Sequence, residues 1–218
     1  LLRSASEAGG TYFFLIALFN MPLANLMALL QMMPLTVTLG AALFFGERVG
    51  WRRTAAIALG FSGMLLIVRP GPDGFSLYAI YALASVACIT LRDLLTRRMS
   101  AALPSMTVAL TSAVSVMLFG AVASLTTPWV AVDAVSAGLI VGSSLFIFAG
   151  YLFSVLVMRA GDVSFTAPFR YSGLIWALGL GWLVFGDWPD RLTLLGAAIV
   201  VGAGLFALHR ERVVRTED

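Results

Sequence analysis

Arg170 falls about six residues into an apolar stretch that begins near Ser164. A charged side chain inside hydrocarbon costs about 2.5–3.5 kcal/mol on insertion scales, so one that persists there is a candidate functional group. At about 1.5 Å per helical residue it sits about 9 Å from the end of that stretch. Its five donors match a carboxylate or phosphate in a fork geometry; the alternative is a guanidinium that snorkels to the interface or bonds helix carbonyls. Tyr171 and Trp176, on the same stretch, offer aromatic faces to a planar or cationic ligand, with simple packing as the alternative. Gln31 lies 140 residues before Tyr171, and Thr38 follows seven residues later, close to the same helical face. An amide there either bonds a substrate or ties two helices together. These five residues are the candidate substrate-binding set. Pro34 and Pro168 are hinge candidates, since each removes a backbone donor and frees a carbonyl; Pro168 also fits a first-turn proline.

The elements that carry these residues are read from composition. Of 218 residues 60% are apolar and 11% charged, against roughly 25% charged in a soluble domain. So few charges do not solvate a chain of this size, and the apolar residues come in blocks near the length that crosses a bilayer. The expected fold is an all-α, polytopic membrane helix bundle. Eight spans are predicted at roughly 5–20, 23–45, 51–68, 76–95, 104–125, 135–158, 164–185 and 192–208. They are separated by turn-rich breaks such as Arg69-Pro70-Gly71-Pro72-Asp73-Gly74 and Gly186-Asp187-Trp188-Pro189-Asp190.

Fourteen basic residues against eleven acidic give a net charge of +3. The arginines follow span ends. Arg3, Arg48, Arg52, Arg53, Arg92, Arg97, Arg98, Arg159, Arg210, Arg212 and Arg215 fall on one side, and only Arg69 and Arg191 on the other. The positive-inside rule then puts both termini in the cytoplasm and makes the basic balance a topology signal, with no nucleic-acid partner. Trp51, Trp129 and Trp188 stand beside span ends as interfacial anchors.

An internal echo organises the chain. Leu43-Phe44-Phe45-Gly46-Glu47 resembles Leu183-Val184-Phe185-Gly186-Asp187, and about eight of roughly 69 positions are identical at the 140-residue offset. Five predicted spans separate the two segments. An odd number turns the second copy over in the membrane, so the expectation is an inverted-topology repeat. Residues 1–70 form the last three helices of the first repeat, 76–210 a complete five-helix repeat, and 211–218 a cytoplasmic tail. About eight of ten expected helices are visible, and the chain, which starts Leu1-Leu2-Arg3-Ser4, is expected to lack the first two.

The stretch from Met21-Pro22-Leu23-Ala24-Asn25 through Pro34-Leu35 and Phe45-Gly46-Glu47-Arg48 to Val68-Arg69-Pro70-Gly71 resembles the first repeat of the EamA-like family in the drug/metabolite transporter superfamily. Ala167-Pro168-Phe169-Arg170-Tyr171 to Trp176, with Phe185-Gly186-Asp187-Trp188-Pro189-Asp190 and Leu195-Gly196-Ala197-Ala198, resembles the second. The resemblance implies two inverted five-helix repeats around a central cavity and alternating access. It also implies movement of small organic metabolites across a bacterial inner membrane. It leaves the cargo, the direction and the energy source open.

Other charged positions have structural readings. Glu47 and Asp187 precede following spans, where a carboxylate favours a helix N-terminus. Asp93 and Asp162 are expected to be solvated or paired, while Glu7 either pairs with an arginine or carries a proton. Small residues in the later spans, including the Gly173–Ala177–Gly181 stripe, are expected to let helices approach closely. An enzyme is not expected: His209 sits at a span end, Cys88 inside a span, and neither a metal cluster nor a nucleophile motif accompanies them. A scaffold subunit without transport is the remaining alternative. The expected partners are a small-molecule substrate and the lipid bilayer, with a second copy of the chain as a further option, and no cofactor.

Overall fold

A computed structural model describes residues 2–46, 50–69, 76–99, 105–125, 130–160 and 171–217. Among them every regular element is a helix: α1 (Leu2–Asn20), α2 (Leu23–Leu30), α3 (Met33–Phe45), α4 (Trp51–Val68), α5 (Leu77–Arg97), α6 (Ser105–Ser124), α7 (Ala134–Ala160), α8 (Ser172–Phe185) and α9 (Arg191–Glu217). Leu23–Phe45, Leu77–Thr96 and Met106–Ser124 are long and apolar enough to cross a bilayer core, and shorter apolar stretches lie in α4, α7, α8 and α9. In lipid, only backbone satisfied within its own segment or a closed barrel is tolerated, which is why such a sequence resolves into helices. The protein is a polytopic helical membrane bundle.

Two boundaries differ from the sequence expectation. The span at 23–45 is two helices, with Gln31 and Met32 in a tight turn between them. Met32 N–H turns back to the carbonyl of Leu29 at 3.0 Å, an i→i−3 bond. Pro34 follows in the first turn of α3, where its missing N–H is tolerated. The supposed tail at 211–217 continues α9 as helix, as its Arg- and Glu-rich composition permits. The cap of α9 is Asp190, whose carboxylate accepts from the Thr193 N–H at 2.9 Å.

Helices in lipid gain little from burying apolar surface against one another, so small residues and interhelical hydrogen bonds decide where they touch. α4 and α9 meet at glycines. A Cβ on Gly63 would lie 2.8 Å from the Gly196 carbonyl oxygen, and one on Gly196 would lie 2.6 Å from that of Gly63. Gly60 faces Ala203 while Gly196 faces Ile67, so the two helices run antiparallel. α1 lies on α5 through Gly9 and Gly10 against Cys88 and Ile89, where Ser85 donates to the Gly10 carbonyl at 2.9 Å. Thr36 and Thr90 join α3 to α5 at 2.7 Å. The core gathers Leu26, Leu29, Met32, Val86, Leu174 and Val200 around α2. The small residues of α7 behave otherwise: nothing packs within 4 Å of a Cβ at Gly138, Gly142 or Gly150.

Element boundaries repeat at the 140-residue offset. α3 and α8 end at Phe45 and Phe185, and α4 and α9 begin at Trp51 and Arg191. Gly46 and Gly186 cap α3 and α8 with φ of 66° and 71°, the left-handed region where glycine lacks the penalty of a side chain. These two turns lie at opposite ends of the bundle. Arg98 reaches the Phe44 carbonyl beside the first, together with the end that carries Arg3 and Arg92. The second leads into Asp190, which pairs with Arg69.

Candidate functional site: an interrupted helix facing a helix start

Gln31 closes α2 with φ −65° and ψ −10° and is 8% exposed. It stands inside a stretch long enough to cross the bilayer. Because Pro34 has no N–H, the carbonyl of Leu30 lacks its usual i+4 donor. The Gln31 amide points across to the first turn of α8: its Nε2 lies 3.9 Å from where a Cβ on Gly173 would be. Tyr171, in the turn before α8, is 6% exposed, and its hydroxyl packs so closely on Gly204 of α9 that no Cβ fits there. Gln31 and the Tyr171 turn therefore adjoin, with the phenol end directed at α9.

The other sequence candidates separate. α8 buries Tyr171, Leu174, Ala177 and Gly181, so Ala177 and Gly181 of the small-residue stripe are inside while Gly173 stays at its edge. Trp176 is on the opposite side and 70% exposed, away from Gln31. Thr38 donates to its own helix, to the Pro34 carbonyl at 2.9 Å. Arg170, Pro168 and Glu47 lie outside the described residues.

Two charged constellations flank this region. At the arginine-rich end, Glu7 is buried and accepts from Arg92 at 2.9 Å, with Arg3 3.7 Å from its other oxygen. Arg92 also holds Asp93 at 2.8 Å, and Arg3 reaches Thr96 at 2.8 Å and the Ser112 hydroxyl. Two cations thus meet two carboxylates across α1, α5 and α6. This resolves Glu7 as a paired residue; the sequence held no local sign of Arg92 as its partner.

At the opposite end a cleft of about 510 Å³ opens beside the start of α2, lined by Asn25, Arg69, Asp187, Trp188, Asp190 and Thr193 among others. Arg69 closes α4 in a left-handed conformation, φ 50°. It bonds the Leu66 carbonyl and Thr193 and pairs with Asp190. The Arg69 guanidinium and the Thr193 amide hold the Asp190 carboxyl well below the ordinary carboxylate range.

No protein-family profile matches the chain. Relatives of named function do. The chain is 31% identical to a riboflavin transporter of Rhizobium johnstonii over 97% of its own length and 70% of that protein. It is 28% identical to a pseudopaline exporter of Pseudomonas aeruginosa, over 92% of the chain and 70% of the relative. With an S-adenosylmethionine uptake transporter of Rickettsia bellii the identity is 26%, over 82% of the chain and 61% of the relative. A solved crystal structure, 21% identical, superposes with a TM-score of 0.63 over 94% of this chain and 75% of that one, a likeness of fold. All three named relatives are transporters or exporters rather than enzymes. Identity at this level over nearly the whole chain settles kinship: the chain belongs to the family of bacterial membrane transporters of small metabolites represented by the R. johnstonii riboflavin transporter.

Proposed function

We propose that the chain moves a small organic metabolite across the bacterial inner membrane by alternating access, as an EamA-like member of the drug/metabolite transporter superfamily. The carrying observation is the break at Gln31–Met32 inside a membrane-length stretch, facing the start of α8. Discontinuous helices are where transporters build solute sites, because polar backbone is tolerated at that depth only beside protein or a cavity. The antiparallel α4–α9 pair, the boundaries matched at 140 residues and the glycine turns at opposite ends support two inverted repeats, residues 1–70 and 76–210. The arginine-rich end then faces the cytoplasm, together with both termini.

In this reading Gln31 donates to the solute, and Arg170, one residue before Tyr171, supplies a fork of donors for an anionic group. Tyr171 shapes the wall through its ring. Pro34 and Pro168 loosen the two halves. Trp176 and Thr38, one exposed and one bonded to its own helix, act only if the helices rotate.

The test is flux in proteoliposomes with riboflavin, S-adenosylmethionine and pseudopaline as separate cargoes. Arg170→Ala and Gln31→Leu are each expected to reduce transport at least tenfold while insertion and thermal unfolding stay near wild type. Undiminished flux of a transported cargo by both variants removes this pair from the path.

A further inference from the structure

The cleft beside Arg69 lies at the far end of α2 from Gln31 and is distinct from the site proposed above. Among the described residues its charges do not balance. Arg69 is committed to Asp190, which also caps α9. Asp187, exposed on the same wall, has no ion-pair or hydrogen-bond partner for its carboxylate among the described residues, and Arg191 is not part of the lining. Beside it stands Trp188, 62% exposed, its ring held edge-to-face by Trp182 at 6.2 Å between centroids.

From this we infer that the cleft is a binding site for the cationic head of an organic solute, held between the Asp187 carboxylate and the Trp188 ring. An indole face attracts an ammonium or sulfonium through its quadrupole, and a neighbouring carboxylate adds a Coulombic term of the same sign. A volume of about 510 Å³ is in the range of small-molecule sites. A solute anion is disfavoured, because among the described residues of the lining the one cation, Arg69, is already neutralised and two carboxylates are present. Asn25 and Thr193 leave polar groups for the rest of the solute.

The probe is choline, with 3,3-dimethylbutan-1-ol as its uncharged isostere and glycine betaine as its zwitterionic relative. Binding to the whole chain in nanodiscs is read by saturation-transfer NMR on the methyl protons. Choline is expected to bind at least about 3-fold more tightly than the isostere. Asp187→Asn and Trp188→Leu each weaken it roughly 3- to 10-fold, and Asp187→Glu retains it. Gln31→Leu leaves it unchanged, which separates this site from the transport path. Equal binding of choline and isostere, insensitivity to both Asp187→Asn and Trp188→Leu, or tighter binding of betaine than of choline overturns the inference.

Discussion

The crossing of α4 and α9 admits a quantitative test. A methyl group on Gly196 would sit 2.6 Å from the Gly63 carbonyl oxygen and 2.8 Å from Ile67 Cγ1. Non-bonded heavy atoms settle at about 3.5 Å, so Gly196→Ala forces the helices apart by somewhat under 1 Å. Overpacking of this kind costs about 1–3 kcal/mol, against about 0.8–1.0 kcal/mol gained from the better helix propensity of alanine. The expected net effect is a loss of about 0–2 kcal/mol. Gly202, on the same helix, has nothing within 4 Å of its Cβ position, so Gly202→Ala is expected to gain up to about 1 kcal/mol. Gly63→Ala should behave like Gly196→Ala, and the double variant should lose less than the sum, since one separation relieves both clashes. Reversible unfolding in mixed micelles, followed by far-ultraviolet circular dichroism, gives the free energies. If Gly196→Ala and Gly202→Ala agree within about 0.5 kcal/mol, the close approach of the two backbones is not what joins these helices.

Glu7→Gln leaves Arg92 with Asp93 alone and should cost about 1–3 kcal/mol in the same assay; a neutral Glu7→Gln refutes the pairing. Thr90→Val removes the bond to Thr36 and should cost about 0.6 kcal/mol, the average for interhelical bonds in membranes, with no change in expression level. The folded-state pKa of Asp190 is depressed by Arg69. Its contribution is therefore present above the ordinary carboxylate value of about 3.9 and fades as pH falls through the folded value. The stability gap between wild type and Asp190→Asn should stay constant from about pH 8 to 5 and shrink below about pH 4; a gap that varies between pH 6 and 8 contradicts this.

The membrane class, most span limits and the two glycine turns were legible because hydrophobic length and Phe-Gly-acid punctuation are local properties of the chain. The break at Gln31–Met32 was not, since neither residue is a helix breaker and the signal, Pro34, sits two residues late and points equally to a kink. The facing of Trp176 was hidden for another reason: α8 is apolar all round, Leu174, Ile175, Trp176 and Ala177 in succession, so its sequence carries no stripe from which to choose a side. Glu7 shows the third kind of limit. Its partner is 85 residues away, and the pairing of α1 with α5 is set by Gly9, Gly10 and Ser85, small residues that predict contact but not with whom. The adjacency of Gln31 to the start of α8 was not legible either, since the 140-residue offset aligns Gln31 with Tyr171 as equivalent positions of two halves and says nothing of contact between them.

The glycine at the foot of α3 and its counterpart below α8 work as stops built from main chain only. Four residues separate each from the first residue of the next helix, although Arg48-Val49-Gly50 and Trp188-Pro189-Asp190 share no chemistry. What aims α4 and α9 toward their crossing is thus a bend in the track, indifferent to the freight of side chains that follows. The link after Gly186 is thereby free to form the rim of a charged hollow without derailing the helix it launches.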